Sequence, residues 1–190
     1  MQKVYVLNKF QHNPYSGLVV DTTSRGGTWS GLSPFLLSAE KYGSRNFENL
    51  WQYSKVYPEH AEQMGLKYVI KNDWFDWSQA GYNNPSAVRY PMGKGRKPLF
   101  SFWLGQKLGY IEARKKIYIP IYAELVQLTE SFAALKTAFQ TQDLVLRDYD
   151  GYDYTVMGLT LGAVANDPSR KCGHAFVLAA LLLGQLDQML

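Results

Sequence analysis

The stretch AFVLAALLLGQL, residues 175–186, limits the fold more than any other part of the chain. Nearly every side chain in it is apolar, so a helix built from it has no face to offer water. It is also too short to cross a bilayer. It therefore reads as a buried core helix, and the rest of the chain has to surround it. With 190 residues, the chain has the length of one domain with a full hydrophobic core.

Turn and cap signals divide the remainder. KVYVLN (3–8) and GLVVDTT (17–23) are rich in β-formers, and NPYSG between them predicts a hairpin. RGGTWSGLSP (25–34) reads as a loop. A helix fits 45–56, and Pro58 suits the first turn of a second short helix ending near Gly65. Residues 71–98 carry Asn, Gly and Pro throughout and read as a long irregular loop of the kind that covers a site. Helical patterning resumes over 106–127, with Pro120 expected to kink or divide it. Thr129 is a cap for the next helix. LVLRDY (144–149) is strand-like, and Asp167-Pro168 reads as the start of the C-terminal helix. The expectation is one α+β domain over 1–190, mainly helical, with a small N-terminal β-hairpin.

Charge is unevenly spread. Residues 89–116 hold eight Lys/Arg and one acid, a local +7 in a chain whose net charge is +4. Such a concentration marks a place for an anion, phosphate above all, although a solvated basic face has the same composition. In RYPMGKGRKP, Gly93 and Gly95 flank Lys94 and let backbone amides approach an anion. Arg89 and Arg96 rank above the lysines because a guanidinium grips phosphate with two bonds. The spacing is not that of a Walker loop. Aromatic residues make up 15% of the chain, and Trp51 and Trp103 are candidate stacking platforms. His174, beside Gly173, is a further candidate for the site.

Within FENLWQYSKVY (47–57), Glu48, Gln52 and Lys55 fall on one helical stripe, with Arg45 one turn before. Ordinary surface pairs of about 0.2–0.5 kcal/mol are the plain reading of that spacing. An acid, an amide and an amine gathered for chemistry are the other. Asp148, Asp150 and Asp153 offer a second carboxylate, though aspartate is also a common turn residue. One cysteine, Cys172, excludes an internal disulfide, and no Cys/His set has zinc spacing. No nucleophile elbow or dinucleotide fingerprint is present. No metal or cofactor is expected, and the start has no apolar run of signal-peptide length, so a soluble, cytoplasmic protein is expected.

LSPF (32–35) followed by ENLWQYSK (48–55) resembles the NADAR family, which carries L-S-x-F and then E-H-x-aromatic-Q-x-x-K on a helix. Leu32, Ser33 and Phe35 match the first element, and Glu48, Trp51, Gln52 and Lys55 the second. Asn49 stands where the family usually has His. LRDYDGYD (146–153) and GHAFVLAALL (173–182) resemble later family segments more loosely, and the family's W-G is absent. The resemblance spans 32–182 in order and is specific over 32–55.

It implies cleavage of an N-glycosidic bond between a ribose and a base or amine, in phosphorylated riboflavin intermediates or ADP-ribosylated guanine. On that reading Glu48 activates water or faces the ribosyl cation, Gln52 orients water or a sugar hydroxyl, and Lys55 supports Glu48 or binds phosphate. Asp148 and Asp153 lie nearest the family's two later acidic positions. Arg45, Trp51, Arg89, Lys94, Arg96, Trp103 and His174 are the substrate-binding candidates. The partner is a phosphorylated ribosyl or nucleotide substrate, with a nucleic acid carrying a modified base also open. The rivals are a module that binds a nucleotide or dinucleotide without cleaving it, and a protein that recognises a flipped DNA base.

Overall fold

The computed structural model describes residues 2–190. Its central sheet joins three distant pieces of chain. β1 (Val4–Asn8) and β2 (Leu18–Asp21) lie on either side of a strand formed by Leu144–Asp148, and both run parallel to it. Val4 and Leu18 both register with Leu144. The expected N-terminal hairpin is therefore absent: residues 9–17 form a strap that carries the chain back to begin a parallel strand. The cause lies in the third strand. Leu144, Val145 and Leu146 are wholly buried, so this strand needs partners on both edges and cover on both faces. Gly17 allows the strap to close, because a Cβ there would sit 2.5 Å from the Asp143 carbonyl oxygen.

α1 (Phe47–Tyr53) starts at Asn46, whose side chain accepts a hydrogen bond from the Asn49 amide at 2.9 Å. It stops earlier than the pattern predicts. Lys55 belongs to β3 (Lys55–Val56), which pairs antiparallel with residues 100–101. After a short 3-10 turn, β4 (Ala61–Met64) and β5 (Lys67–Ile70) form a hairpin where a short helix was expected. Gly65, at φ +61°, sits in its two-residue turn.

The supposedly irregular 71–98 begins with a twelve-residue helix, α2 (Asn72–Asn83). Its buried face is Trp74, Ser78 and Gly81, a helical stripe made mostly of small residues. Gly81 packs so close to the Tyr53 ring that a Cβ would lie 2.0 Å from a ring carbon. The hairpin β6 (Phe100–Trp103) and β7 (Gln106–Leu108) follows, replacing the start of the expected 106–127 helix. α3 (Tyr110–Ala113), a π-helical turn (Arg114–Tyr118) and α4 (Ile119–Val126) then run on without a break. Pro120 therefore does not divide the helix. Its missing N–H is accommodated by the widened turn just before it.

α5 (Glu130–Phe139) is capped by Thr129, whose hydroxyl accepts from the Phe132 amide at 3.1 Å. The chain then enters the central strand, β8 (Leu144–Asp148), and α6 (Leu161–Asn166), capped by Thr160. The last helix, α7 (His174–Leu183), starts at Gly173 rather than Asp167. The Asp167 carboxylate instead closes a turn onto the Ser169 amide at 2.8 Å. α7 is the core helix the sequence demands: Ala175 to Ala180 are fully buried, and it packs on β1, β8 and α4. The result is an α+β fold. No helix among the described residues is long and apolar enough to cross a membrane.

Candidate active site

Because β2 and β8 are parallel, their C-terminal ends open at the same edge of the sheet, where ligands of such sheets tend to bind. A cavity of about 410 Å³ lies there, a size suited to a nucleotide-sized ligand. Glu48, Trp51, Gln52, Lys55, Arg89, Lys94, Arg96, Asp148 and His174 all line it. Three other candidates do not. Arg45 is an exposed residue paired with Glu40 at 3.1 Å. Trp103 packs near Tyr42 against the core. Asp153 accepts from the Tyr15 hydroxyl at 2.5 Å and from Thr155 at 2.7 Å, and so fastens the N-terminal strap.

The acid–amide–amine row survives the early end of α1, because β3 turns Lys55 back over the helix. The Gln52 amide donates to Glu48 Oε1 at 2.9 Å, and its carbonyl accepts from Lys55 Nζ at 2.7 Å. The carboxamide is thus a bridge between Glu48 and Lys55. Burial pushes the Glu48 carboxyl above its ordinary value, opposed by the Gln52 hydrogen bond and by the charges of Lys55, Arg89 and His174. Burial also pulls Lys55 down to about 8, against the attraction of Glu48 and Asp150. Its ammonium lies 4.5 Å from the centre of the Trp51 ring. Trp51 in turn meets the edge of Tyr118 at 5.1 Å. Burial, with Asp148 and Glu48 nearby, keeps the Tyr118 hydroxyl protonated well above the usual phenol range.

Asn49, at the position where the NADAR pattern has His, is fully buried. Its side-chain NH2 donates to the carbonyls of Asn84 and Ser86 at 3.0 and 2.9 Å, and its oxygen accepts from the Val88 amide at 2.8 Å. It therefore pins the loop that delivers Arg89. Farther along that loop, Gly93 and Gly95 have φ of +96° and +86°, the left-handed geometry that permits the tight bend around Lys94. Arg96 is paired with Glu59.

The opposite wall is the end of β8 and the start of α7. His174 Nε2 lies 2.9 Å from the Thr22 carbonyl oxygen, which can only accept, so Nε2 carries hydrogen. Nδ1 faces Asp148 Oδ2 at 3.2 Å. This pairing requires glycine at 173, where a Cβ would sit 2.2 Å from Asp148 Oδ2. Gly173→Ala is expected to cost about 1–3 kcal/mol, as overpacking does. It should also shift the His174 imidazole resonances in an NMR spectrum. Unchanged resonances would separate the glycine from the pair.

Beyond those nine, Asp150, Lys171, Arg114 and Tyr118 also line the cavity. Asp150 bridges two loops, taking Arg89 Nη2 on Oδ2 at 2.9 Å and Lys171 Nζ on Oδ1 at 2.9 Å. Asp150 stood among three acids that could offer a second carboxylate, and Lys171 carried no signal at all. Arg114 lay inside the basic segment, and the structure buries it with no carboxylate partner. Its guanidinium donates to the carbonyls of Val164, Ala165, Asp167 and Arg170 at 2.8–3.2 Å. Tyr118 comes from the other end of the same π turn, and this turn is what aims both side chains at the cavity. Cys172 also lines the cavity, but burial pushes its thiol up to about 12, which leaves it a poor nucleophile.

Among the described residues no group of three His, Cys, Asp or Glu side chains is arranged to hold a metal ion. No protein-family model matches the chain, and no curated protein or solved structure is detectably similar to it. A functional reading therefore rests on the chemistry of this cavity.

Proposed function

We propose that this chain is a NADAR-like N-glycosidase that hydrolyses the bond between a base or amine and the ribose of a phosphorylated ribosyl compound. The observation that carries this reading is the burial of Glu48 in the same cavity as the glycine-flanked cationic loop. Cleavage of such a bond builds positive charge on the ribosyl ring and negative charge on the departing base. Three carboxylates, Glu48, Asp148 and Asp150, surround the space where the ring would sit. Lys94 and Arg96, with Arg89 nearer Glu48, suit the phosphate that fixes the ribose in place.

In the step itself the C1′–N bond breaks with its electron pair leaving on the base. Water oxygen attaches to C1′, Glu48 takes one water proton, and the departing base takes up that proton from Glu48, which returns to its carboxylate. Lys55, held by the Gln52 bridge, favours the ionised carboxylate of Glu48 that is needed to take this proton.

The test is incubation with ribosylamino nucleotides and with ADP-ribosylated guanine in nucleic acid, following the released base by chromatography. Release of base is the expected result, and recovery of every substrate intact would overturn the proposal. Activity should fall as pH rises through about 8, where Lys55 loses its proton. Lys55→Arg should push that alkaline limb upward, since a guanidinium stays charged. A limb that stays near pH 8 in the variant would remove Lys55 from the mechanism.

One observation favours a rival, a module that holds the nucleotide without cleaving it. Arg89, Lys171 and Asp150 form a closed ion-pair bridge at the cavity wall, which suits retention of a bound anion. Tight binding by calorimetry with intact ligand recovered would select that reading.

A further inference from the structure

In a direct displacement at C1′ water enters on one face and the base leaves on the other, so the proton that Glu48 takes from water needs a carrier to the departing nitrogen. Resting on the proposed function, we infer that Tyr118 is a further catalytic residue, whose hydroxyl relays the proton of Glu48 to the nitrogen of the leaving base.

The packing of the Tyr118 ring places it beside that carboxyl. It meets Phe47 at 5.4 Å and Trp51 at 5.1 Å, the α1 side chains one before and three after Glu48. On its other side it lies nearly parallel to Tyr122, with centres 6.3 Å apart. Tyr122 in turn meets the edge of His174, the partner of Asp148, at 5.7 Å. The ring is therefore held between α1 and the opposite wall, only 8% exposed, and still lines the cavity. Tyr122 donates its hydroxyl proton to the Leu32 carbonyl at 2.6 Å, whereas no hydrogen bond among the described residues occupies the hydroxyl of Tyr118.

The other donors around the same space are engaged. Lys55 Nζ donates to Gln52, the His174 ring lies between Thr22 and Asp148, and Arg89 and Lys171 hold Asp150. Of the other tyrosines of the cavity, Tyr57 stands in the field of Arg96, and Tyr90, Tyr110 and Tyr149 are 37–45% exposed. Tyr118 alone among them stands in the field of both Glu48 and Asp148, and with burial they keep its hydroxyl protonated. In the relay, the Tyr118 O–H bond breaks toward the base nitrogen that received the C1′–N electron pair, and an N–H bond forms. The proton on Glu48 crosses to the Tyr118 oxygen in the same event. The hydroxyl is restored and Glu48 is again a carboxylate.

The test is Tyr118→Phe, assayed on a ribosylamino nucleotide and on a pyridinium riboside 5′-phosphate, whose base leaves neutral and needs no proton. On the first substrate kcat should fall about 10²-fold with KM within about twofold, and on the second the rate should stay within about twofold. Rates on the ribosylamino nucleotide in mixtures of H2O and D2O should follow a bowed curve for the wild type, where two protons move together, and a straight line for the variant. Tyr122→Phe gives up the bond to Leu32 and should lower Tm while keeping the bowed curve. A loss shared by both substrates, an unchanged rate on the ribosylamino nucleotide, or a curve of the same shape in Tyr118→Phe would overturn the relay and leave the proposed function standing. The shape of the curve decides alone if the wild type leaves the pyridinium compound uncleaved. Failure of the wild type to release base from any substrate would overturn both.

Discussion

Glu48→Gln is expected to slow release of base by about 10²–10⁴-fold, the usual contribution of a positioned acid or base, while leaving the fold intact. Glutamine keeps the shape and can still accept from the Gln52 amide, so the bridge to Lys55 remains. What disappears is the ability to take a proton from water. A structural role for Glu48 would predict the opposite pattern, little change in rate with a loss of stability. The stability data should in fact move the other way. Burial raises the Glu48 carboxyl above its ordinary value of 4.5, so the native state binds this proton more tightly than the unfolded state does. The stability that follows is fully present below pH 4.5 and is lost as pH rises through the folded value. Wild type should therefore fall behind the variant in Tm as pH rises from acid toward neutral. Product release at the wild-type rate would remove Glu48 from the chemistry, and a Tm gap that ignores pH would show that the carboxyl is not buried as described.

Arg114→Met should bring the largest loss of stability, about 3–5 kcal/mol, because it leaves several buried carbonyls unsatisfied at about 1–3 kcal/mol each. For a chain of this length that corresponds to a fall in Tm of about 10 °C. The four carbonyls it holds belong to the end of α6 and the loop after it, and methionine offers them no donor. Arg114→Lys should fall between the two, since a single ammonium cannot span four acceptors. Function should suffer beyond stability. The same loop leads into Lys171, Gly173 and His174, so the variant should lose affinity for phosphorylated ligands even well below its melting temperature. A Tm shift under about 2 °C would mean that the loop holds itself without the guanidinium.

Much of the candidate site was legible because its signals are local. Glu48, Gln52 and Lys55 fall within eight positions, and the caps at Asn46 and Thr129 act over one turn. The basic loop declares itself by composition, and it meets Glu48 in one cavity. Features set by distant pairing were not legible. Nothing near residues 3–23 says that a strand from 144–148 will slip between them, and a turn-like NPYSG argues for the wrong partner. α2 escaped because its packing face depends on a missing side chain, Gly81 against Tyr53, which in sequence looks like a helix breaker. Asp153 was a candidate through the resemblance while Asp150 was only one of three possible carboxylates, because the sequence does not say which carboxylate of DYDGYD faces inward. Asn49 appeared as a departure from the family pattern, and the structure gives it a complete set of hydrogen bonds of its own.

The place of β8 also bears on how the molecule is made. A ribosome delivers both outer strands early, yet neither has its neighbour until the chain has grown past residue 148. At about 5–20 residues per second, that is a delay on the order of ten seconds. Throughout it, two β-prone segments wait with open edges, a state in which chains tend to find one another instead. The lysine that begins the strap, Lys9, and the proline within it, Pro14, sit where a nascent edge most needs discouragement.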